Sequence, residues 1–91
     1  MIVFIGKDKP EAETIRAGNR DRHLAMMKEL KKKGLIYFAG PFISDLGKMS
    51  GSLIIFDTED MDLVKDIMSR DPYVCSGLFS AREISRIKKV L

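Results

Sequence analysis

The only histidine in the chain, His23, lies in the stretch "DRHLAMMKEL". Wound as an α-helix, that stretch carries Leu24, Met27 and Leu30 as one apolar stripe, with His23 directed between Met27 and Leu30. Asp21, Lys28, Glu29 and Lys32 fall largely away from it. The one side chain that titrates near neutrality is therefore aimed at the interior. An imidazole so placed can accept and return a proton on a bound substrate; it can equally be a hydrogen-bonded core residue. Arg20, three residues earlier on the same helix face, offers a guanidinium that suits a carboxylate or phenolate, or is a plain surface arginine. Ser52 could hydrogen-bond a substrate from the start of a strand, or simply end a loop after Gly51. Tyr73 and Phe42 suit an aromatic-accepting pocket of the mostly apolar kind that binds small molecules, or pack in the core.

Several chemistries are set aside at once. Cys75 is the sole cysteine, so there is no internal disulfide, and one thiol with one histidine cannot build a metal cage. No cationic helix end is evident near it, so it reads as a small buried hydrophobe. No G-x-G-x-x-G or P-loop string is present, and no nucleotide or other cofactor is expected. Six methionines at helical spacing read as flexible core filling.

With 91 residues, the chain makes one domain, residues 1–91, burying roughly 60 to 65% of its unfolded surface, so the core must be thin. A hydrophobic fraction of 45% beside a charged fraction of 32% fits a soluble globular domain rather than a disordered or membrane one. No apolar run approaches the roughly 20 residues of a bilayer span, and "MIVFIGKDKP" lacks the basic start and cleavage site of a signal peptide. A cytoplasmic location is expected. The net charge of +3 comes partly from "KELKKKG" and "SRIKKVL". These read as a solvated helix face and a basic tail, with a modest preference for acidic small molecules.

The elements that must position His23 follow from pattern. "MIVFIG" is β-branched and aromatic and predicts a central strand. The next 24 residues, from Glu11 to Gly34, are helical in spacing, but "AGN" (Ala17 to Asn19) lowers helix propensity and predicts a kink or two segments. Gly34 supplies a left-handed stop, with three lysines in the last turn matching the helix dipole. "LIYFAGPFI" is a second strand whose Pro41 marks an edge, bulge or end. "SDLGKMSG" is a loop, and "SLIIFDT" is a third strand. From Asp57 to Asp60 a helix can start and run through Met61, Val64, Ile67 and Met68. Asp71 is an N-cap with Pro72 at the first position of a short turn, and "LFSAREISRI" alternates as a last strand. The order βαββαβ is the split βαβ pattern of ferredoxin-like folds. Such a sheet, covered by helices on one face, leaves the other open, and a homodimer through that open face is the expected solution.

The blocks "RDRHLAMMKELKKKGLIYFAGPF", "GSLIIFDT" and "DPYVCSGLF" resemble, in order and spacing, those of the YCII or YciI-like family. The likeness rests on Arg20, His23 and Leu24; on Ala39 to Pro41; on Gly51 with Ser52; and on Asp71, Pro72, Tyr73 and Gly77. It spans nearly the whole chain. The resemblance implies a dimeric ferredoxin-like α+β barrel, similar to muconolactone isomerases and small cofactor-free monooxygenases, with a cleft holding a histidine and an aspartate. Those fall on His23 and Asp71. A carboxylate at one ring nitrogen orients an imidazole and fixes its tautomer, which leaves the other nitrogen for proton transfer. On its own, Asp71 reads as a helix cap; the two roles are compatible.

Two functions follow. One is a cofactor-independent isomerase or lyase working by His23 and Asp71 on a small aromatic or acidic ring compound, with Arg20, Phe42, Ser52 and Tyr73 around it. The other is a binding or sensing dimer using the same hollow without chemistry. Nucleic-acid binding is disfavoured, since "SLIIFDT" lacks the glycine-aromatic signature of an RNA-binding sheet.

Overall fold

In a computed structural model covering residues 1–91, seven elements follow one another: β1 (Ile2–Asp8), α1 (Glu13–Lys32), β2 (Ile36–Ile43), β3 (Met49–Phe56), α2 (Met61–Ser69), the single turn α3 (Pro72–Cys75) and β4 (Phe79–Arg86). The strands form one antiparallel sheet in the order β2-β3-β1-β4, the ferredoxin-like arrangement. β1 is central, as its composition predicts, and β2 is an edge strand that carries Pro41 within it, where a missing amide costs no interior ladder bond.

Alternation places the core. Ile2 and Phe4 of β1 and Ile54 and Phe56 of β3 are fully buried, two residues apart on each strand, as the strand period requires. Against them pack Met27 and Leu30 of α1, Val64, Ile67 and Met68 of α2, and Tyr73, Leu78 and Phe79. Val64, Ile67 and Met68 sit at helical spacing on one face of α2, whose start is capped by Asp60 accepting from the Leu63 amide at 3.1 Å.

α1 runs unbroken from Glu13 to Lys32, so the expected interruption at Ala17 to Asn19 does not occur. Gly18 meets open space on the solvent side, and the Asn19 amide donates to the Ile15 carbonyl of its own helix at 2.9 Å. Burial of Arg16 before the weak spot and of His23, Met27 and Leu30 after it holds both halves to the sheet, and such packing outweighs a propensity deficit of roughly 1 kcal/mol. The helix stops as predicted: Gly34 has φ 76°, its amide donates to Lys31, and that of Leu35 donates to Leu30, both at 3.0 Å, the paired bonds of a Schellman motif.

Three smaller expectations are also corrected. Leu24 is not in the buried stripe but at the surface, where it borders a cavity. The hairpin loop ends sooner than its composition suggests, because Met49 to Gly51 already belong to β3. Cys75 is exposed, since the one turn of α3 turns Tyr73 inward and leaves its last residue outside; its thiol donates to the Ser69 carbonyl at 3.3 Å. No helix is long and apolar enough to cross a membrane.

Candidate active site

The inward stripe of α1 is unusual for what it carries. Arg16, His23, Met27 and Leu30 are the buried positions, so the stripe begins with two polar side chains where leucines would ordinarily stand. A helix buries such groups only if each finds partners, and the rest of the fold supplies them.

Asp71 provides the first. As the N-cap of α3, its Oδ2 accepts the backbone amides of Tyr73 (3.0 Å) and Val74 (3.3 Å), and it has no exposed surface. Its other oxygen, Oδ1, lies 2.6 Å from Nδ1 of His23. A carboxylate that already accepts two amides can only accept again, so Nδ1 is the donor, and in the neutral ring Nε2 keeps its lone pair. Nε2 has no partner in the protein. Because no buried side-chain nitrogen or oxygen lacks one, Nε2 must reach open space. The Tyr73 ring stacks on the imidazole, with centroids 4.0 Å apart and planes 17° from parallel, and so fixes its tilt.

The second buried group was not anticipated from sequence. Arg16 donates from Nε to Asp8 Oδ2 and from Nη2 to Asp8 Oδ1, each at 2.8 Å, and Nη2 also donates to Ser52 Oγ at 3.0 Å. Burial works against its charge. The hydrogen bonds and charge of Asp8 more than compensate, and its pKa lies above the ordinary value. The guanidinium carbon sits 4.7 Å from the centre of the Tyr73 ring. Burial raises the Tyr73 pKa, with Arg16 opposing in part, so at neutral pH the phenol stays protonated.

These groups form one wall of a cavity of about 400 Å³ between α1 and β2, within the size range of small-molecule sites. Arg20, His23, Ser52 and Tyr73 all line it, while Asp71 lies behind His23 rather than on the surface. Phe42 is not among the lining residues; it pairs with Gly51 across the ladder, and its ring lies where a side chain at Gly51 would go. Opposite the polar wall are Tyr37, Phe38 and Met49. The spacing Arg16, Arg20, His23, Met27 (i, i+4, i+7, i+11) was the available signal for Arg16. No group of three or more potential ligands that could hold a metal ion is present.

A ferredoxin-like α+β sandwich with a mixed polar and aromatic hollow between its long helix and its edge strand defines a small-ligand site. Within that class the chain belongs to the YCII family: the model of the YCII-related domain matches residues 1–88. A solved relative, the 5-chloro-2-hydroxyhydroquinone dehydrochlorinase TftG of Burkholderia phenoliruptrix in complex with 2,5-dihydroxybenzoquinone, superposes with a TM-score of 0.84 at 33% identity, covering 97% of this chain and 94% of that one. An uncharacterized protein of Haemophilus influenzae is 31% identical over 94 residues, 97% of this chain and 96% of its own. Protein YciI of Escherichia coli is 28% identical over 96 residues, 99% and 98% of the two chains. Taken coarsely, the family and its solved dehydrochlorinase support a small-molecule enzyme.

Proposed function

We propose that this chain is a cofactor-independent enzyme of isomerase or lyase type, in which His23 moves protons on a small hydroxylated or acidic ring and Asp71 orients it. The observation that carries the reading is the split of the imidazole: Nδ1 tied at 2.6 Å to a carboxylate with no exposed surface, and Nε2 left open on a ligand-sized cavity. Nε2 takes the proton of a ring hydroxyl, and the protonated imidazole returns it to a ring carbon, an isomerisation. Where that carbon bears a halide, the carbon–halogen bond then breaks, the halide leaves with the bonding pair, and a second hydroxyl releases a proton. The net change is loss of HX, with no outside oxidant or reductant. The relative's activity and bound quinone support this class of ring.

The test is to incubate purified protein anaerobically with 5-chloro-2-hydroxyhydroquinone and unchlorinated ring acids, following chloride release and the ultraviolet spectrum. Enzyme-dependent chloride release or tautomerisation is expected. Saturable binding of these rings without product from any of them would replace this reading with the binding or sensing one.

We also propose that the protein is a homodimer through the uncovered sheet face. Val3 pairs with Ile55, and Ile5 with Leu53, at positions alternating with the core residues; Val3 is buried, and Ile5, Leu53 and Ile55 are partly exposed, so the central strands keep apolar surface there. Sedimentation equilibrium should give twice the 10.3 kDa chain mass; a monomer at high micromolar concentration would overturn this.

A further inference from the structure

We propose that Arg16 is a second substrate-contacting residue of this site: it holds an anionic oxygen of the ring through Nη1, in a pose set by Asp8. The proposal rests on the reading of the cavity as a substrate site and names what that site selects, a small ring bearing a carboxylate or a hydroxyl ionised at neutral pH.

The hydrogen bonds of Arg16 are divided in a telling way. A guanidinium has five N–H donors. Those of Nε and Nη2 are committed to both oxygens of Asp8 and to Ser52. Nη1 makes no well-formed hydrogen bond in the protein, although the Tyr73 hydroxyl lies near enough to the guanidinium to interact with it, and since no buried side-chain nitrogen lacks a partner, Nη1 keeps access to the cavity that Arg16 lines. A bidentate grip on one edge fixes the plane of the fork, so the free nitrogen points in a set direction.

Its position relative to the proton-transfer group is equally defined. Arg16 and His23 are two helical turns apart, about 10.5 Å along the axis, and both contact the Tyr73 ring, the guanidinium at 4.7 Å and the imidazole at 4.0 Å from its centre. Each of the two groups is thus backed by its own carboxylate, Asp8 behind Arg16 and Asp71 behind His23.

The remaining charge in the cavity has one sign. Arg20, Lys28 and Lys31 line it, with no aspartate or glutamate among the lining residues. Asp8 offsets much of the Arg16 charge, so the net attraction for an anion comes from these three outer cations, while Arg16 supplies direction. A neutral phenol would use neither.

The test measures equilibrium binding by calorimetry to the full-length protein. The probes are 2,5-dihydroxybenzoquinone, whose hydroxyls are acidified by conjugated carbonyls and ionised at neutral pH, and hydroquinone, which is neutral there. The wild type and His23→Gln, which removes the proposed base, should both prefer the anion. The paired variant Asp8→Leu with Arg16→Met removes the charge couple together, which leaves no stranded ion. It should lose about 10- to 100-fold in affinity for the anion, the scale of one charge-assisted hydrogen bond, with hydroquinone binding changed by no more than about twofold. Arg16→Lys, which keeps the charge without the fork, should lose part of the preference. Unchanged anion affinity in the folded paired variant, or in Arg16→Lys should the pair not fold, would make Arg16 a strut between α1, β1 and β3 and overturn the proposal. The His23→Gln background keeps this outcome separate from the question of turnover. Absence of product leaves the Arg16 result readable, and turnover with Arg16-independent binding sinks this inference alone.

Discussion

Asp71→Asn is expected to lower kcat by about 10²- to 10⁴-fold, as is His23→Gln, the usual range for losing a positioned general base, or about 3 to 5 kcal/mol of transition-state stabilisation. The asparagine is nearly isosteric, and its oxygen can still accept the Tyr73 and Val74 amides that Asp71 caps. Its NH₂ group then faces Nδ1 of His23. Two donors cannot meet, so the ring must turn Nδ1 into the acceptor and carry its proton on Nε2, the nitrogen that should be taking one. The base is present in the wrong tautomer. Thermal unfolding should remain cooperative, and the double variant should be scarcely slower than His23→Gln alone, because the two residues act as a unit. Steady-state rates on a verified substrate check both points, and an Asp71→Asn variant within threefold of wild-type kcat would remove the aspartate from the mechanism.

Each residue of that pair was open to sequence reasoning for a local reason, while their pairing was implied by the family resemblance. His23 is the sole histidine and interrupts an apolar stripe; Asp71 precedes a proline and announces a cap. Each pattern rests on local geometry, which spacing transmits well. The strands, the Gly34 stop and the second helix were legible on the same grounds. Arg16 and Asp8 were not. In the linear chain Asp8 lies in "KDKPE", a run that resembles a solvated turn, and Arg16 precedes a Gly-Asn step whose low helix propensity predicts a kink or a break before His23. The expected kink hid the relationship, because only an unbroken α1 puts Arg16 on the stripe of His23. Whether a weak step breaks a helix depends on packing to either side, and the partners there are strand residues on other elements, Asp8 at the end of β1 and Ser52 of β3, 36 residues away in sequence.

Asp8→Ala is expected to destabilise the fold by about 3 kcal/mol, the lower end for stranding one member of a buried ion pair, because Nη1 of Arg16 keeps some access to water in the cavity. The two side chains of the pair are only 7% and 9% exposed, so the remaining fork loses two hydrogen bonds without gaining equivalent solvation. In a domain of this size that corresponds to a fall in Tm of roughly 12 to 24 °C. The paired Asp8→Leu, Arg16→Met variant should lie within about 1 kcal/mol of wild type, since removing both charges removes the desolvation cost along with the attraction. Urea unfolding monitored by circular dichroism gives both values, with an unchanged slope required for the comparison. A single variant as stable as the wild type would mean that water already screens the pair.

The two walls of the cavity are anchored differently, and this bears on how such a site can diversify. The polar wall stands on a long helix and a capped turn whose side chains are interlocked with the sheet interior. The facing wall is the outermost strand, bonded on one side only, and its Tyr37 and Phe38 are about half exposed, at 50% and 48%. Replacing those residues disturbs little beneath them, whereas the buried members of the helix side, Arg16, His23 and Asp71, are each bonded to other elements of the fold. Edge positions can therefore change, one at a time, which guests the hollow admits while the two buried side-chain pairs behind the opposite wall stay intact, a division of labour that puts variation where it carries little risk to folding.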